Sequence, residues 1–395
     1  MLWRDITLEP AAAAVVDTPA FQRLRYVRQL GHGFLVYPGA THTRFEHALG
    51  TYHLACRALD ALRSRGALAG FGDDDLALVR LSALLHDIGH YPFSHTLEES
   101  GLTSHETLAR RALTGAPLAA ALGAAGAGPR VAEVIAGESA HPLAPLVSGA
   151  IDVDKLDYLR RDALMCGVPY GEVDVERLLA CLTVVTTPEG PVLAVAEKGL
   201  AAIESLLFAK YQMYRNVYWH HAVRSATAMF KRLVHEARAD GALDPDGLVG
   251  ATDDALMHVL SESDRSGLAD ALLQRRLMKR ALELLPAELD TPTPPWLHGD
   301  PDRLARAENA LARAVGLGPA DLLIDLPHKA AMLDLELPIL RKDGGIERLT
   351  EAGWPGRMDL PPVARSLAES ACRLRVFVRR DVTVTREALL EVLAG

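Results

Sequence analysis

The sequence predicts a mainly α-helical protein with one β-hairpin and a smaller α+β part towards its C-terminus. Apolar residues recur at steps of three and four over long stretches, as they do on the buried face of a helix. Aromatic residues make up only 5% of the 395 residues, while Leu and Ala, which favour helices, are common. Residues 182–195 instead show two runs rich in β-branched residues around a Pro-Glu-Gly-Pro turn, which is typical of a hairpin.

The first 239 residues are predicted to be helical almost throughout. Asp17-Thr18-Pro19 is a favourable helix start, with Asp17 as the cap, and we expect a helix over residues 20–30. Gly31 and Gly33 end that helix, and residues 34–38 are predicted to be extended. The Ala- and Gly-rich residues 116–128 are predicted to form a loose loop or a frayed helix. Further helices are expected over residues 44–64, 76–85, 105 onwards, 152–162 and, as one long helix, 199–239.

Residues 240–395 are predicted to form a smaller helical and α+β region. Helices are expected near residues 264–285 and 301–315, with a Pro-rich break at 289–297 between them. Strands are expected near residues 321–326 and 373–378. We therefore divide the chain into a core, residues 1–239, and a C-terminal region, residues 240–395, which we expect to serve self-association into a homo-oligomer.

Composition and charge limit the classes of partner. The formal net charge of −9 does not favour a general nucleic-acid surface, although a local basic pocket could still accept a nucleic acid. The four cysteines are scattered without a CxxC pair, which suits a reducing compartment. Neither an apolar run of membrane length nor the pattern of a signal peptide is present, so we expect a cytoplasmic protein without a membrane partner.

The most informative stretch is residues 76–95, where an apolar helix pattern ends in an adjacent His-Asp pair. His90 lies one turn beyond His86, so both side chains can face the same way. Pro92 ends the helix, and His95 follows directly after it. Several imidazoles and a carboxylate at the end of a buried helix are unfavourable unless they pair or bind something. Any one of these histidines could be a hydrogen-bonded core residue, but the cluster indicates a functional site.

Two imidazoles and two carboxylates on three predicted helices could hold one metal ion. A metal that activates water near neutral pH needs mixed nitrogen and oxygen ligands and an open coordination position. Such ligands are compatible with Mn, Fe, Mg, Zn, Ni or Co. An adjacent His-Asp pair is by itself a weak motif, and spacing alone does not establish a shared site. The candidate ligands are His47, His86, Asp87 and Asp154.

Four sequence blocks, residues 17–31, 38–50, 85–95 and 151–162, resemble one family. The order of the four candidate ligands is similar to the H…HD…D signature of the HD superfamily of metal-dependent phosphohydrolases. The flanking residues resemble its deoxynucleoside triphosphate triphosphohydrolases, which include bacterial dGTPase-like enzymes and an animal enzyme with a sterile-alpha-motif domain. The resemblance covers roughly residues 17–235. It implies a mainly α HD-domain core with one inserted β-hairpin and a smaller α+β C-terminal part.

The resemblance also implies a reaction and the residues that perform it. Water would attack the α-phosphorus of a deoxynucleoside triphosphate (dNTP), which gives a deoxynucleoside and inorganic triphosphate. One divalent metal ion would be bound by the four candidate ligands, and His95 would transfer a proton, because imidazole titrates near the working pH. The residues expected around the triphosphate are Arg44, His90, His95, His105 and Lys155.

A second set of residues is implied to hold the rest of the substrate. Polar groups that pair with the 3′-hydroxyl, with Leu30 and Tyr218 closing the 2′ side, would select deoxyribose. Two further basic residues, Lys210 and His221, are expected towards the phosphate tail. The residues expected to hold the sugar are Gln29, Leu30, Tyr158, Asp162 and Tyr218.

An activating nucleotide is a further implication of the resemblance. Asp17, Gln22 and Arg25 match residues that read the base of such an activator between subunits in relatives. The phosphate-binding segment that precedes them in those relatives is not matched here. The alternative is structural, with Asp17 as a helix cap and Arg25 as an ion-pairing surface residue, and the sequence favours this alternative.

Two other functions are compatible with the same residues. The site could act on another nucleotide, such as a nucleoside monophosphate or a signalling nucleotide, or on a nucleic-acid end. Alternatively, the chain could be a nucleotide-binding regulatory module with little turnover. Retention of the whole candidate ligand set argues against the second of these.

Overall fold

The computed structural model describes residues 2–124, 128–289, 292–327, 336–349 and 360–394. It confirms the predicted mainly α fold, in which helices form the core and small sheets are added to it.

The first part of the chain, up to residue 239, is helical except for one β-hairpin. Two long helices bracket a π-helical turn, Tyr214–Tyr218, at the end of this part. In chain order the elements are α1 (Pro10–Val16), α2 (Pro19–Gln22), α3 (Arg44–Arg63), α4 (Asp73–Leu85), α5 (Ser94–Glu98), α6 (His105–Leu113), α7 (Ala116–Ala124), α8 (Gly128–Ile135), α9 (Pro145–Ser148), α10 (Val153–Cys166), α11 (Val175–Cys181), β1 (Leu182–Thr187), β2 (Gly190–Ala196), α12 (Leu200–Met213) and α13 (His221–Ala239).

Beyond α13 the chain alternates between helices and short strands. The elements are α14 (Asp253–Ser263), α15 (Leu268–Leu273), β3 (Lys279–Leu284), α16 (Trp296–Gly299), α17 (Pro301–Ala314), β4 (Leu322–Asp325), β5 (Pro338–Leu340), β6 (Ile346–Arg348), α18 (Leu360–Ala371), β7 (Leu374–Val378) and α19 (Arg386–Ala394). Short 3₁₀ segments are Arg23–Tyr26, Gly31–Leu35, Glu197–Gly199, Pro245–Gly250 and Pro286–Glu288.

Two sheets connect distant parts of the chain. The predicted hairpin β1–β2 is present, and β5 adds to it in parallel, with Val195 opposite Ile339; β6 then pairs antiparallel with β5. In the other sheet, β7 lies between β3 and β4 and is antiparallel to both. Strands from beyond residue 239 therefore complete the sheet that the hairpin begins.

The largest apolar core forms where α3 packs against α4 and α10. Leu54 and Leu59 of α3 and Leu84 of α4 are fully buried, as their helical spacing predicts. Because the candidate ligands lie on α3, after α4 and on α10, this packing brings three distant stretches of sequence to one place. A second core surrounds α13, and a third lies between the β3–β7–β4 sheet and α17 and α19.

The predicted helix over residues 20–30 is wrong after its first turn. Thr18, not Asp17, is the cap, because its hydroxyl accepts a hydrogen bond from the amide of Phe21. After α2 and a 3₁₀ turn, Arg28 pairs with Thr43, and this cross-chain pairing replaces further helix. Residues 34–38 are not a simple extended piece, since Gly31–Leu35 is a 3₁₀ turn.

The single long helix predicted over residues 199–239 is divided in two. The π-helical turn places Tyr218 so that its hydroxyl reaches Asp162 of α10. His220 then caps α13, because its Nδ1 accepts a hydrogen bond from the amide of Ala222. The helix predicted near residues 264–285 is also largely wrong, because β3 pairs with β7 over its second half.

The Ala- and Gly-rich residues 116–128, predicted to form a loose loop or a frayed helix, contain α7 and the first residue of α8, and residues 125–127 lie outside the described ranges. Leu118 and Leu122 of α7 are buried, as are Val131 and Val134 further along α8, so each of these helices packs an apolar face. The two helices meet at 106° and match the length and composition of a membrane span only when taken together; within the described ranges, no single helix does so.

A buried aromatic stack lies beside the segment that follows the His-Asp pair. The ring of His32 stacks on that of Phe93, with centroids 4.4 Å apart and planes at 13°, and lies 5.0 Å from the ring of Phe230. Phe93 has a positive φ of 52°, so the stack holds a backbone conformation that L-residues rarely adopt. Burial, followed by the nearby charge of Arg28, lowers the pKa of His32 to about 3.

We predict that His32 makes the fold sensitive to acid. In the unfolded chain the pKa of His32 would be near 6.5, so below that pH the unfolded state binds a proton that the folded state does not bind. The free energy of unfolding therefore falls as the pH drops from 6.5 towards 3. At pH 5 this contribution costs about 2 kcal/mol of the free energy of unfolding. The measurement is urea unfolding at pH 7.5 and pH 5 of the wild type and of His32→Phe, which keeps a stacked ring. An equal loss in both proteins would contradict the prediction.

Candidate active site

The structure brings the four candidate metal ligands into one group. His47 lies on α3, His86 and Asp87 directly follow α4, and Asp154 lies in the first turn of α10. The Nε2 atom of His47 is 3.1 Å from Nε2 of His86 and 3.0 Å from Oδ1 of Asp154. The Nε2 atom of His86 is 3.3 Å from Oδ1 of Asp87 and 3.6 Å from Oδ1 of Asp154.

Hydrogen bonds on the far side of each ring direct both Nε2 atoms towards this group. The Nδ1–H of His86 donates to the carbonyl oxygen of Ala83, 2.9 Å away, and that of His47 donates to Oδ2 of Asp157, 2.7 Å away. In the neutral rings, Nε2 then carries the lone pair. Ligand atoms of His47, His86 and Asp87 all lie within 4.8 Å of one another, and Oδ1 of Asp154 contacts both Nε2 atoms, so these four side chains are a donor set that fits a divalent cation.

Electrostatics at these four residues also favour a bound cation. Burial alone lowers the pKa of His47, but its hydrogen bonds to Asp154 and Asp157 outweigh burial and raise that pKa to about 10. The pKa of His86 is raised as well, because the charges of Asp87 and Asp154 overcome burial. For Asp87 and Asp154 burial acts in the opposite direction, yet the neighbouring imidazoles hold both carboxyl pKa values well below the usual range. A metal ion would take the place of the imidazole protons, so its binding would release protons.

Asp157, which sequence reasoning missed, supports the ligand His47. Its buried carboxylate accepts from His47, from Nε and Nη2 of Arg161 at 2.7 and 2.9 Å, and from the indole N–H of Trp3. A Cβ atom at Gly50 would lie 2.0 Å from Oδ1 of Asp157, so the missing side chain at Gly50 makes room for this carboxylate. The available signal was the spacing: Asp157 lies three residues after Asp154 and four before Arg161, on one helix.

Four of the residues expected around a triphosphate form a cluster beside the metal-ligand group. Arg44 donates from Nη1 to Oδ2 of Asp87 at 2.7 Å, and Nε2 of His90 lies 3.1 Å from Oδ1 of the same carboxylate. The rings of His90 and His105 stack at 3.8 Å, and the ring of His95 lies 4.9 Å from that of His90. We call Arg44, His90, His95 and His105 the cationic cluster.

Glu98 organises the outer part of the cationic cluster and was also missed. Its Oε1 lies 2.8 Å from Nδ1 of His105, and its Oε2 lies 3.3 Å from Nδ1 of His95, which is 65% exposed. Burial lowers the pKa of His105, but the hydrogen bond to Glu98 outweighs it and raises the pKa. His90 behaves differently: burial and the charge of Arg44 keep its pKa well below the usual range. One short segment therefore holds imidazoles of different basicity.

Lys155 has different contacts from the rest of its predicted set. Its ammonium group donates to the carbonyl oxygen of Gly149 at 2.9 Å and to a carboxylate oxygen of Asp152. Burial lowers its pKa, but the charges of Asp152 and Asp154 overcome this and raise it. Lys155 thus follows the candidate ligand Asp154 on α10, but its ammonium group pairs with Asp152.

Two of the residues expected to hold a sugar, Asp162 and Tyr218, bond to each other. Oδ1 of Asp162 lies 2.8 Å from Nε2 of His42, and Oδ2 accepts from the Tyr218 hydroxyl at 2.7 Å. The rings of Tyr158 and Tyr218 are 6.5 Å apart, and Leu30 packs against the same apolar core as both. The amide oxygen of Gln29 is buried, and no hydrogen-bond partner for it exists among the residues that the structure describes. His42, which orients Asp162, was not predicted.

Lys210 and His221 lie apart from each other. Lys210 is buried near the end of α12, whereas His221 begins α13 at the edge of a cavity of about 210 Å³. Neither a candidate metal ligand nor a member of the cationic cluster lines this cavity. Its charged or titratable lining residues are Arg215, His220, His221, Arg280, Glu283, Arg373 and Arg375.

Two of the three residues matched to an activator site, Gln22 and Arg25, have hydrogen-bond partners close by in the sequence. Arg25 donates from Nε to the amide oxygen of Gln22 at 2.8 Å and lies 3.5 Å over the ring of Phe45. Gln22 in turn donates to the carbonyl oxygen of Val16. Asp17 is exposed at the end of α1.

Comparison with known proteins gives two adjoining family matches. The family model of the HD domain matches residues 44–162, and that of the HD associated region matches residues 173–354. An uncharacterised protein of Methanocaldococcus jannaschii, MJ1154, is 34% identical over 374 residues, which cover 94% of this chain and 76% of that protein.

Other relatives match over shorter stretches. The uncharacterised protein YwfO of Bacillus subtilis is 38% identical over 57% of this chain, and the match spans about half of YwfO, 51%. Human SAMHD1, a deoxynucleoside triphosphate triphosphohydrolase, is 45% identical over 93 residues, 24% of this chain and 15% of SAMHD1. A solved phosphohydrolase of Bacteroides thetaiotaomicron has the same fold, with a TM-score of 0.73 over 93% of this chain and 95% of that chain at 24% identity.

We predict that Asp157→Asn weakens metal binding by about 10- to 100-fold, because the ring of His47 loses the carboxylate that fixes its tautomer and orientation. The measurement is calorimetric titration of metal-stripped protein with Mn²⁺. Glu176→Gln is the matched control, since it removes a carboxylate that pairs with Arg57 on the surface. Equal Mn²⁺ affinities of Asp157→Asn and the control would contradict the assignment.

Proposed function

The chain belongs to the HD-domain superfamily of phosphohydrolases, and from this premise we propose that it hydrolyses dNTPs to a deoxynucleoside and inorganic triphosphate. The proposal rests on one contact, between the metal-ligand group, which would bind a cation, and the cationic cluster, which would bind the anionic phosphates. Asp87 belongs to the group that fits a divalent cation, and it also touches Arg44 and His90 of the cationic cluster. A site that joins a metal to an arginine and three histidines suits a substrate with several phosphates, because these side chains can donate hydrogen bonds to phosphate oxygens.

The metal-ligand group and the cationic cluster would both act on the phosphates. A divalent metal held by His47, His86, Asp87 and Asp154 would polarise the α-phosphate and lower the pKa of water. Arg44 is buried, and its Nε has no hydrogen-bond partner within the described part of the chain. That N–H can donate to a phosphate oxygen while Nη1 stays on Asp87, so Arg44 would fix the phosphate relative to the ligands.

His95 is the proposed proton donor to the leaving group. The oxygen of water forms a new bond to the α-phosphorus while the bond to O5′ of the sugar breaks, and O5′ needs a proton. Because Nδ1 of His95 faces Glu98, its Nε2 is the nitrogen that can supply that proton. Glu98 orients the ring, and the exposure of His95 allows contact with substrate.

Asp162, Tyr218 and Gln29 are proposed to select the sugar. The unpartnered buried amide oxygen of Gln29 would accept from the 3′-hydroxyl. The backbone N–H of Gln29 donates to the carbonyl oxygen of His42, whose ring contacts Asp162, the partner of Tyr218. The Tyr218 ring and Leu30 would close the space that a 2′-hydroxyl needs. An unpaired buried polar group is strongly unfavourable, so such a pocket can discriminate on a single hydroxyl.

Two partner predictions stay predictions. Self-association is expected from the family resemblance. An activating nucleotide is the less favoured alternative at Asp17, Gln22 and Arg25, and Gln22 and Arg25 already bond to each other. The cavity at the start of α13 carries positive charge of the kind that a polyphosphate binds. It is the place where we would look for an activator first.

We predict that the metal-loaded protein releases inorganic triphosphate and a deoxynucleoside from at least one dNTP, and that Asp87→Ala abolishes this activity because both groups lose their shared carboxylate. The measurement is product identification across the four dNTPs and four ribonucleotides with Mg²⁺, Mn²⁺ and Co²⁺. Asp60→Asn, an exposed change on α3, is the control.

Other products would redirect the assignment. Release of single phosphate, or equal activity on ribonucleotides, would indicate an HD phosphohydrolase with another nucleotide or a nucleic-acid end as substrate. Tight nucleotide binding with a low rate that Asp87→Ala leaves unchanged would indicate a regulatory module.

We predict that Tyr218→Ala lowers the preference for dNTPs over ribonucleotides by about 10-fold or more, because it opens the 2′ side of the pocket. The measurement is the ratio of kcat/KM for a dNTP to that for its ribonucleotide. Tyr211→Ala, on the preceding helix and bonded to Ser370 instead, is the matched control. An unchanged ratio in Tyr218→Ala would remove Tyr218 from the selection of the sugar.

A further inference from the structure

The proposed proton donor, His95, lies on α5, a helix that is too short to be stable without contacts to the rest of the protein. α5 contains five residues, Ser94–Glu98, and carries both His95 and Glu98. A helix of this length is not stable by itself, so contacts with the rest of the protein must fix it. Leu97 of α5 is fully buried in the core around α13, and at the start of the helix Phe93 is held in the aromatic stack with His32 and Phe230. The geometry of His95 also depends on what holds the other end.

Glu99, at the other end of α5, is bound by one arginine in a two-point contact. Nη1 of Arg224 donates to Oε1 of Glu99 at 3.0 Å, and Nη2 donates to Oε2 at 2.8 Å. Lys231 adds a contact to the same carboxylate at 3.4 Å. Burial raises the pKa of Glu99, but Arg224 and Lys231 outweigh it and lower the pKa to about 2.

The same guanidinium also binds the C-terminal sheet in a two-point contact. Nε of Arg224 donates to Oδ2 of Asp325 on β4 at 2.8 Å, and Nη2 donates to Oδ1 at 2.6 Å. Arg224 and Asp325 are both buried. Two carboxylates from segments more than 200 residues apart thus bond to the N–H groups along the edges of one planar guanidinium. Lysine could not reproduce this arrangement, because it offers a single charged centre without a fixed fork.

We propose that Arg224 is a positioning residue, which holds Glu99 against β4 and so fixes the His95–Glu98 pair relative to the metal-ligand group. The inference rests on the proposed function, since it concerns the proton that His95 transfers. His95 is largely exposed, so the backbone of α5 determines where its ring lies. Release of Glu99 would let α5 shift, and small displacements of a reacting group lower the rate strongly.

The test compares two buried arginines of α13 that differ in what they hold. Arg224→Met removes the contact to α5. Arg232→Met is the matched control, because Arg232 is equally buried and bonds to Glu236 at 2.8 Å and to Glu308 of α17 at 3.0 Å. Full-length protein is measured for kcat, KM, metal content and amide hydrogen exchange over residues 93–99.

We expect Arg224→Met to lower kcat by about 10-fold or more with little change in KM or metal content, and to speed hydrogen exchange in α5. Arg224→Lys, which keeps the charge without the fork, should recover only part of kcat. Arg232→Met should leave both kcat and exchange in α5 close to wild type, because the hydrogen bonds that it removes go to Glu236 and α17 and not to Glu99. Equal effects of Arg224→Met and Arg232→Met on kcat and on exchange in α5 would overturn the proposal.

Two further results separate this inference from the function on which it rests. A wild type without dNTP hydrolysis would reject the proposed function, while hydrogen exchange in α5 would still test the role of Arg224. If Arg224→Met does not fold, Asp325→Asn replaces it, since this change keeps the guanidinium on Glu99 and removes only the charge on β4. Exchange in α5 that is as slow in Asp325→Asn as in Arg232→Met would then overturn the link to the sheet.

Discussion

The carboxylate of Asp87 joins the two halves of the candidate site, and the rest of the arrangement depends on how this buried charge is compensated. Its Oδ1 lies near Nε2 of both His86 and His90, and its Oδ2 accepts from Arg44. A carboxylate away from water is stable only where such partners replace its hydration. Because these partners belong to different groups, Asp87 fixes the distance between the site of the cation and the side chains that would meet a polyanion.

Two glycines allow the neighbouring helices to approach this carboxylate closely. A Cβ atom at Gly89 would lie 2.1 Å from the carbonyl oxygen of His105, so α6 could not rest on the turn that follows Asp87. Gly50 allows a similar close approach of α10 to α3, because the carboxylate of Asp157 occupies the space that a side chain at residue 50 would need. The stacked rings of His90 and His105 and the orientation of His47 both follow from these close approaches.

The parts of the structure that follow from local pattern were predictable, and those that follow from distant contacts were not. The periodicity of α3 and α4 and the turn of the β1–β2 hairpin are local, and both predictions are confirmed. The helix predicted near residues 264–285 fails because β7, almost 100 residues further on, pairs with β3.

The candidate site divides in a similar way. Residues 47, 87 and 154 could be grouped only through the family resemblance, because spacing does not determine which helices touch. Glu98 and Asp157 were missed, since a charged pair at a helical step of three or four residues resembles an ordinary surface pair. Burial gives Asp157 its importance and contacts with His95 and His105 give Glu98 its importance, and both depend on how α10, α5 and α6 pack against the rest of the protein.

The residues that form the site and the residues that hold it come from different parts of the chain. The candidate ligands and the cationic cluster all lie within the HD domain match, residues 44–162. Arg224, Phe230 and Asp325, which support the two ends of α5, lie within the match to the associated region, residues 173–354. A five-residue helix with an exposed imidazole cannot take its geometry from the HD domain alone. The associated region therefore supplies contacts that hold α5, and with it His95 and Glu98, beside the candidate ligands of the HD domain.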